Sequence, residues 1–326
     1  MPEPSPTSQR RGRLVRIGAA VVVLLALAGY LSVQYLTGGT GAPGCKVVSG
    51  KGDGAAYELS PEQAVNAATI SAVGTGRGMP ERAVTIALAT ALQESGLRNI
   101  QHGDRDSLGL FQQRPSQGWG SSREIMDPTY AAGVFYEHLS KVPGYTRLPL
   151  TVAAQRVQRS GFPQAYAKHE PDATLLAAAL TGRAAATLTC TGRPGATRAA
   201  GPDAVRAALM RDFGRDVVQE AGAEVGGDAS PAPRPSGTPD VGDRAVTLPV
   251  SATDGGSARG HSARERGWQL AHWAVANASA LHIQRIAFAG RVWTAGTTDG
   301  QWRPLPAQGA AGAEQDAGAV RILTAQ

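Results

Sequence analysis

One carboxylate stands apart from its surroundings. Glu94 closes the run ERAVTIALATALQES, residues 81–95, in which most other positions are small or apolar. On a helix, Ala83, Ala87, Ala91 (or Thr90) and Glu94 recur at intervals of three and four along one face. Glu94 then sits at the C-terminal end of a helix packed into a core. Partial desolvation and the negative end of the helix dipole both disfavour its ionised form. A carboxyl group that keeps its proton near neutral pH is suited to act as a general acid. The competing reading is an exposed glutamate at a frayed helix end, paired with Arg98 four residues on. Asp104 and Asp106, in the loop HGDRDS, are the candidates for a second carboxylate, although such loops also form ordinary turns. A calcium loop would need more oxygen ligands at regular spacing, so no metal is expected here.

The elements that would hold these groups are helical. Ser60-Pro61-Glu62-Gln63 has the form of a capping box, with Ser60 at the N-cap, Pro61 at N1 and Gln63 at N3. The Glu94 helix starts near Pro80-Glu81 and stops at Gly96. Further helical stretches are expected over roughly 127–141, 149–159 and 172–186. No alternating strand pattern of useful length is visible between residues 57 and 190. A helix from Pro202 to about Glu220 precedes the Pro/Ser/Gly-rich segment GGDASPAPRPSGTPDVGD, which reads as a linker. Beyond it, Ala245–Val250 reads as a strand and Ala263–Leu281 as a helix presenting Trp268, Ala271, Val275 and Ala278. Arg285–Trp293 and Ala319–Thr324 read as two more strands. The β-α-β-β order suggests a small α+β module over 243–326.

The N-terminal end supplies a location. Arg10, Arg11, Arg13 and Arg16 precede an uncharged stretch, residues 17–36, of the length (~30 Å as a helix) that spans a bilayer. The positive flank places residues 1–16 in the cytoplasm and the remainder outside. An uncleaved signal anchor is favoured over a cleaved signal peptide because TGGTGAPG offers no clear cleavage site. A Gly-rich stalk is expected over 37–56. Cys45 and Cys190 are the two cysteines, and in an oxidising compartment they read as one disulfide, the alternative being two unrelated thiols. The net charge of +6 and pI near 9.6 come mostly from scattered arginines. No basic stripe interleaved with aromatics appears, which argues against nucleic acid as a partner.

The spacing Glu94-Ser95-Gly96, then Gly109-Leu110-Phe111-Gln112-Gln113 fifteen residues after Glu94, resembles the lytic transglycosylases of the lysozyme-like superfamily. The form with Arg-Pro-Ser and Gly-Trp-Gly following is similar to a branch in exported actinobacterial proteins. The resemblance covers about residues 57–190. It implies a mainly α lysozyme-like domain, which the expected transmembrane helix precedes and the expected small α+β domain follows. It implies peptidoglycan glycan strands as partner, no cofactor, and cleavage of the bond between N-acetylmuramic acid and N-acetylglucosamine. By the same resemblance Glu94 is the general acid, Ser95 helps orient it, Gly109 lets sugar approach the backbone, and Gln112 offers an amide. Leu110, Phe111 and Gln113 complete the sugar-facing wall. One carboxylate suffices in that family, because the sugar's own C6 hydroxyl can displace the leaving group and give a 1,6-anhydro product.

The chain departs from the family at one point. Where many transglycosylases carry Ala-Tyr-Asn-Ala-Gly facing the acid, residues 153–160 read AAQRVQRS. Gln155 and Gln158, with Tyr166 further on, are the candidates to take over sugar contacts. Trp119 is the candidate stacking platform; Tyr130 and Tyr136 could join it or belong to the core. The departure keeps a rival open, a glycan-binding or scaffold protein with weak or no turnover. In the C-terminal module, GW…HWAVANA and GRVW resemble zinc D,D-peptidase-like domains, but the last strand, residues 319–323, has no histidine. His261, His272 and His282 make no ligand set, so a degenerate, metal-free relative is expected.

Overall fold

The computed structural model describes residues 43–160, 163–191, 201–215, 217, 244–250, 262–297, 299–305 and 318–325, together with residues 24 and 29. The expected span over 17–36, His261, and the linker over residues 226–243 lie outside the described residues, apart from residues 24 and 29. Among the described residues no helix is long and apolar enough to cross a membrane. Residues 43–326 form one unit. It is mainly helical, with a small antiparallel sheet towards its C-terminal end.

Helix α1, Pro61–Gly76, begins with the capping box read from the sequence: the Ser60 hydroxyl accepts from the Gln63 amide, and the Gln63 side chain accepts from Ser60 N–H at 2.8 Å. Helix α2, Glu81–Ser95, stops at Gly96, whose φ of 62° is the left-handed C-cap conformation. Positions Ala83 through Leu92 of α2 are all buried. The sequence suggested one buried face; the observed helix is enclosed on every side, as an almost wholly apolar helix must be. Around it pack α1, α4 (Pro128–Ser140), α5 (Leu150–Gln158) and α6 (Glu170–Leu180), with a 3-10 stretch, Pro163–His169, joining α5 to α6. A short helix α3, Ser122–Ile125, has its own capping box from Ser121 and Glu124.

Strands also occur where the sequence showed none. Strands β1 (Cys45–Val48), β2 (Ala56–Leu59) and β3 (Leu188–Cys190) form an antiparallel sheet ordered β2-β1-β3. Residues read as the end of a stalk therefore make a hairpin that closes the two ends of the helical region together. Runs of three or four residues are too short to carry a period-2 signal, which is why the sequence concealed them. Register pairs Cys45 with Cys190, and the two form a disulfide across 145 residues. In the chain-entropy view, closing a loop of that length is worth about 5 kcal/mol.

Helix α7, Gly201–Phe213, leads to the C-terminal sheet, ordered β4-β8-β5-β6-β7 from Ala245–Pro249 (β4), Ala319–Thr324 (β8), Ile283–Phe288 (β5), Arg291–Thr294 (β6) and Arg303–Pro304 (β7). The expected strand over 285–293 is a hairpin. It turns at Ala289 and Gly290, both at positive φ (49° and 72°), the geometry of a tight two-residue connection. Helix α8, Ala263–Ala276, opens with a Ser262–Glu265 capping box and is shorter than expected, ending at Asn277. It lies between this sheet and the helical region, touching α1, α6 and β3 as well as β5 and β8.

That junction is tight and polar at two points. Buried Asp212 accepts from the Thr69 hydroxyl (3.1 Å), the Trp273 indole (2.8 Å) and Arg211 (2.9 Å), tying α7 to α1 and α8. Buried His272 has Nδ1 at 2.8 Å from the Ala179 carbonyl, while its Nε2 accepts from the Thr187 amide at 3.2 Å. Gly182, at φ 81°, passes so close to α8 that a Cβ there would fall 1.8 Å from the Glu265 carbonyl oxygen.

Candidate active site

Glu94 lies half-buried at the end of α2, on the wall of a cleft of about 1060 Å³. The cleft runs between the loops that follow α2, the C-terminal ends of α4 and α5, and the residues just after α5. Among the described residues no ion pair joins Glu94 to Arg98. Instead the Tyr166 hydroxyl donates to Glu94 Oε1 at 2.7 Å, and the Gln158 amide also hydrogen-bonds the carboxyl group. Burial pushes the Glu94 pKa above its ordinary value, while the Tyr166 and Gln158 hydrogen bonds pull it partly back. Glu94 in turn raises Tyr166, whose phenol is already driven up by burial, so it stays protonated and remains a donor.

The Gly-Leu-Phe-Gln-Gln run is a tight turn. Leu108 and Gln113 form a bridge through paired backbone hydrogen bonds of 2.9 and 3.0 Å, and residues 109–112 loop between them. Gly109 (φ 74°) and Gln112 (φ 47°) both take left-handed backbone. A Cβ at Gly109 would lie 2.8 Å from the Ile125 carbonyl oxygen. Glycine is therefore required here by the packing of the chain itself. Ser95 ties this turn to α2 by donating to the Leu110 carbonyl at 2.8 Å; it makes no bond to Glu94 among the described residues.

The expected wall residues part company. Leu110 and Phe111 are fully buried, and Phe111 stacks on Phe135 at 4.6 Å. Gln113 is buried and donates to the Ala131 carbonyl. All three are core residues, leaving Gln112 as the member of the run that faces the cleft. The tight turn explains this: its closed loop packs Leu110 and Phe111 inward and turns Gln112 outward. Gln158 reaches the cleft and also donates to the Phe111 carbonyl at 2.7 Å, so it links α5, the turn and Glu94. Gln155 points away and donates to the Ser160 carbonyl.

Of the two aspartates, Asp104 borders the cleft. Asp106 accepts from the Ser116 amide (2.8 Å) and Arg114 (2.9 Å), which hold its carboxyl well below the usual range and commit it to fastening the loop. Trp119 borders the cleft but lies mostly buried, with its ring stacked 4.3 Å from His138. Tyr130 donates to the Trp119 carbonyl, and Tyr136 is a core residue bonded to the Ile70 carbonyl. His138, Lys141, Arg156 and Arg159 also border the cleft. They went unremarked in the sequence because they sit at the ends of two separate helices. The one available signal was the Arg-rich end of α5.

A family model described as VldE, C-terminal domain, matches residues 244–315, which span β4, α8 and β5 to β7. No curated protein matches the chain.

Proposed function

We propose that this chain cleaves peptidoglycan strands by general-acid catalysis, as a lytic transglycosylase or muramidase with a lysozyme-like helical domain. The observation that carries the reading is Glu94 itself: a half-buried carboxyl with a raised pKa, held by Tyr166 and Gln158 on the wall of an open cleft. Protonated Glu94 gives its proton to the bridging glycosidic oxygen as the bond to the anomeric carbon breaks. The Tyr166 and Gln158 donors then stabilise the carboxylate that forms. That carboxylate removes a proton either from the C6 hydroxyl of the same sugar, closing a 1,6-anhydro ring, or from an attacking water. The first route needs no second carboxylate; the second route would draw on Asp104.

The chemistry missing from residues 153–160 has a substitute. The resemblance implied a tyrosine opposite the acid, and Tyr166 donates to Glu94 from the 3-10 stretch that follows α5. The Cys45–Cys190 disulfide supports an oxidising, extracytoplasmic location, consistent with anchoring through residues 17–36. The test is digestion of purified peptidoglycan by the full chain, with products resolved by mass spectrometry. Anhydro-muropeptides are expected. New reducing ends instead would make the enzyme a hydrolase, and the absence of either product would leave a glycan-binding protein.

A further inference from the structure

The cleft is not electrically neutral. Its border carries Arg114, Lys141, Arg156 and Arg159 against Asp104 and Glu94. Two of those cations are already engaged: Arg114 with Asp106 at 2.9 Å and Lys141 with Glu137 at 2.6 Å. No ion pair or side-chain hydrogen bond engages Arg156 or Arg159 among the described residues. They lie three apart at the end of α5, on either side of Gln158, the residue that holds Glu94. Arg159 also takes a left-handed backbone at φ 52°, a C-cap position that glycine or asparagine fills more cheaply. An arginine is thus kept at the rim despite a local backbone cost.

The charge also reaches into the cleft. His138 is held below its ordinary pKa first by burial and then by Lys141 and Arg159, so at neutral pH it presents an uncharged ring beside the free guanidinium. A guanidinium pair of this kind matches carboxylates, which accept its forked donors two at a time. A plain N-acetylglucosamine polymer would leave both arginines unpaired.

We propose that Arg156 and Arg159 form an anion subsite that selects glycan strands bearing carboxylates, such as the lactyl group of N-acetylmuramic acid, over neutral chitin-like strands. This rests on the glycan-cleaving reading above and adds the charge of the preferred strand. An exposed pair of this kind acts through both affinity and salt dependence.

The test uses the full chain carrying Glu94→Gln, so that binding is measured without turnover. Three probes of equal length are titrated: peptide-free peptidoglycan strands, the same strands with their carboxyls amidated, and a chito-oligosaccharide. The anionic strand should bind about ten-fold more tightly than the other two at low salt. That preference should shrink as salt is raised and vanish when Arg156→Gln and Arg159→Gln are added, with thermal melting unchanged. Equal binding of all three probes overturns the subsite while leaving the glycan reading in place. Binding of none of them removes the glycan reading and the subsite with it. A preference that survives the double substitution assigns anion recognition to other residues and overturns the proposal.

Discussion

Glu94 and His272 are both ionisable groups taken out of water, one on the wall of a cleft and the other inside the seam between the helical region and the C-terminal sheet. The seam uses up both nitrogens of His272: Nδ1 faces the Ala179 carbonyl and Nε2 accepts from the Thr187 amide. A second proton on Nε2 would set two donors face to face, so nothing further can bind there without breaking the packing. The cleft leaves Glu94 incompletely enclosed, with one wall of protein donors and one side open to a ligand. Both pKa values move because burial penalises charge. Displacement of a pKa therefore does not distinguish function from architecture. What does distinguish them is whether the protein already satisfies every hydrogen-bonding direction of the group.

Experiments can break this comparison. The largest effect is expected at the cleft. Glu94→Gln should lower turnover on peptidoglycan by roughly 10³-fold, near the middle of the range for losing a general acid, while the melting temperature stays the same or rises. Retained turnover in that variant would show that the acid lies elsewhere.

The seam should respond to pH, not to substrate. Burial holds His272 at about 4 in the folded protein against an ordinary 6.5, so folding favours its neutral form. Its stabilising contribution is complete above pH 6.5 and is lost as the pH falls towards 4, about 3 kcal/mol in all. Glu94 has the opposite sign, since a raised carboxyl pKa costs stability as the pH climbs past the ordinary carboxylate range. Urea denaturation at pH 7 and pH 4.5 should show a smaller pH-dependent loss in His272→Gln than in the unmodified protein. Identical losses in the two proteins would remove His272 as the cause.

The smallest effect sharpens the assignment of Tyr166. Tyr166→Phe keeps the ring but removes the donor that lowers the Glu94 pKa. The basic limb of the pH–rate profile should therefore move to higher pH, and turnover should fall about ten-fold, or ~1.4 kcal/mol in the barrier. A change in turnover with no shift of the limb would make Tyr166 a packing residue only.

Much of the helical framework was legible because its signals are local. The Ser60–Gln63 capping box, the Gly96 stop and the apolar run into Glu94 each act within a few residues, and each reappears in the structure. The unusual placement of Glu94 was legible for the same reason: a carboxylate closing an apolar helix conflicts with its surroundings. The sheet ordered β2-β1-β3 was not legible, since its strands are only three or four residues long and β3 pairs with β1 from more than a hundred positions away. The fate of the Gly109–Gln113 run was not legible either. Motif spacing says that the residues are close to Glu94, but the path of the tight turn decides which side chains enter the core and which face the cleft.

The amino-acid sequence by itself determined where the Ser60-capped helix begins, where the Glu94 helix begins and stops, which carboxylate would lose water, and that the two cysteines bracket the helical region, all through short-range propensity and patterning. The tertiary structure decided that Tyr166 and Gln158 hold that carboxylate, that Gln112 and not its neighbours faces the cleft, and that α8 and the helical region share a buried polar seam. Those outcomes depend on which distant surfaces meet. Packing and long-range hydrogen bonds settle that, and no local pattern of residue types encodes it.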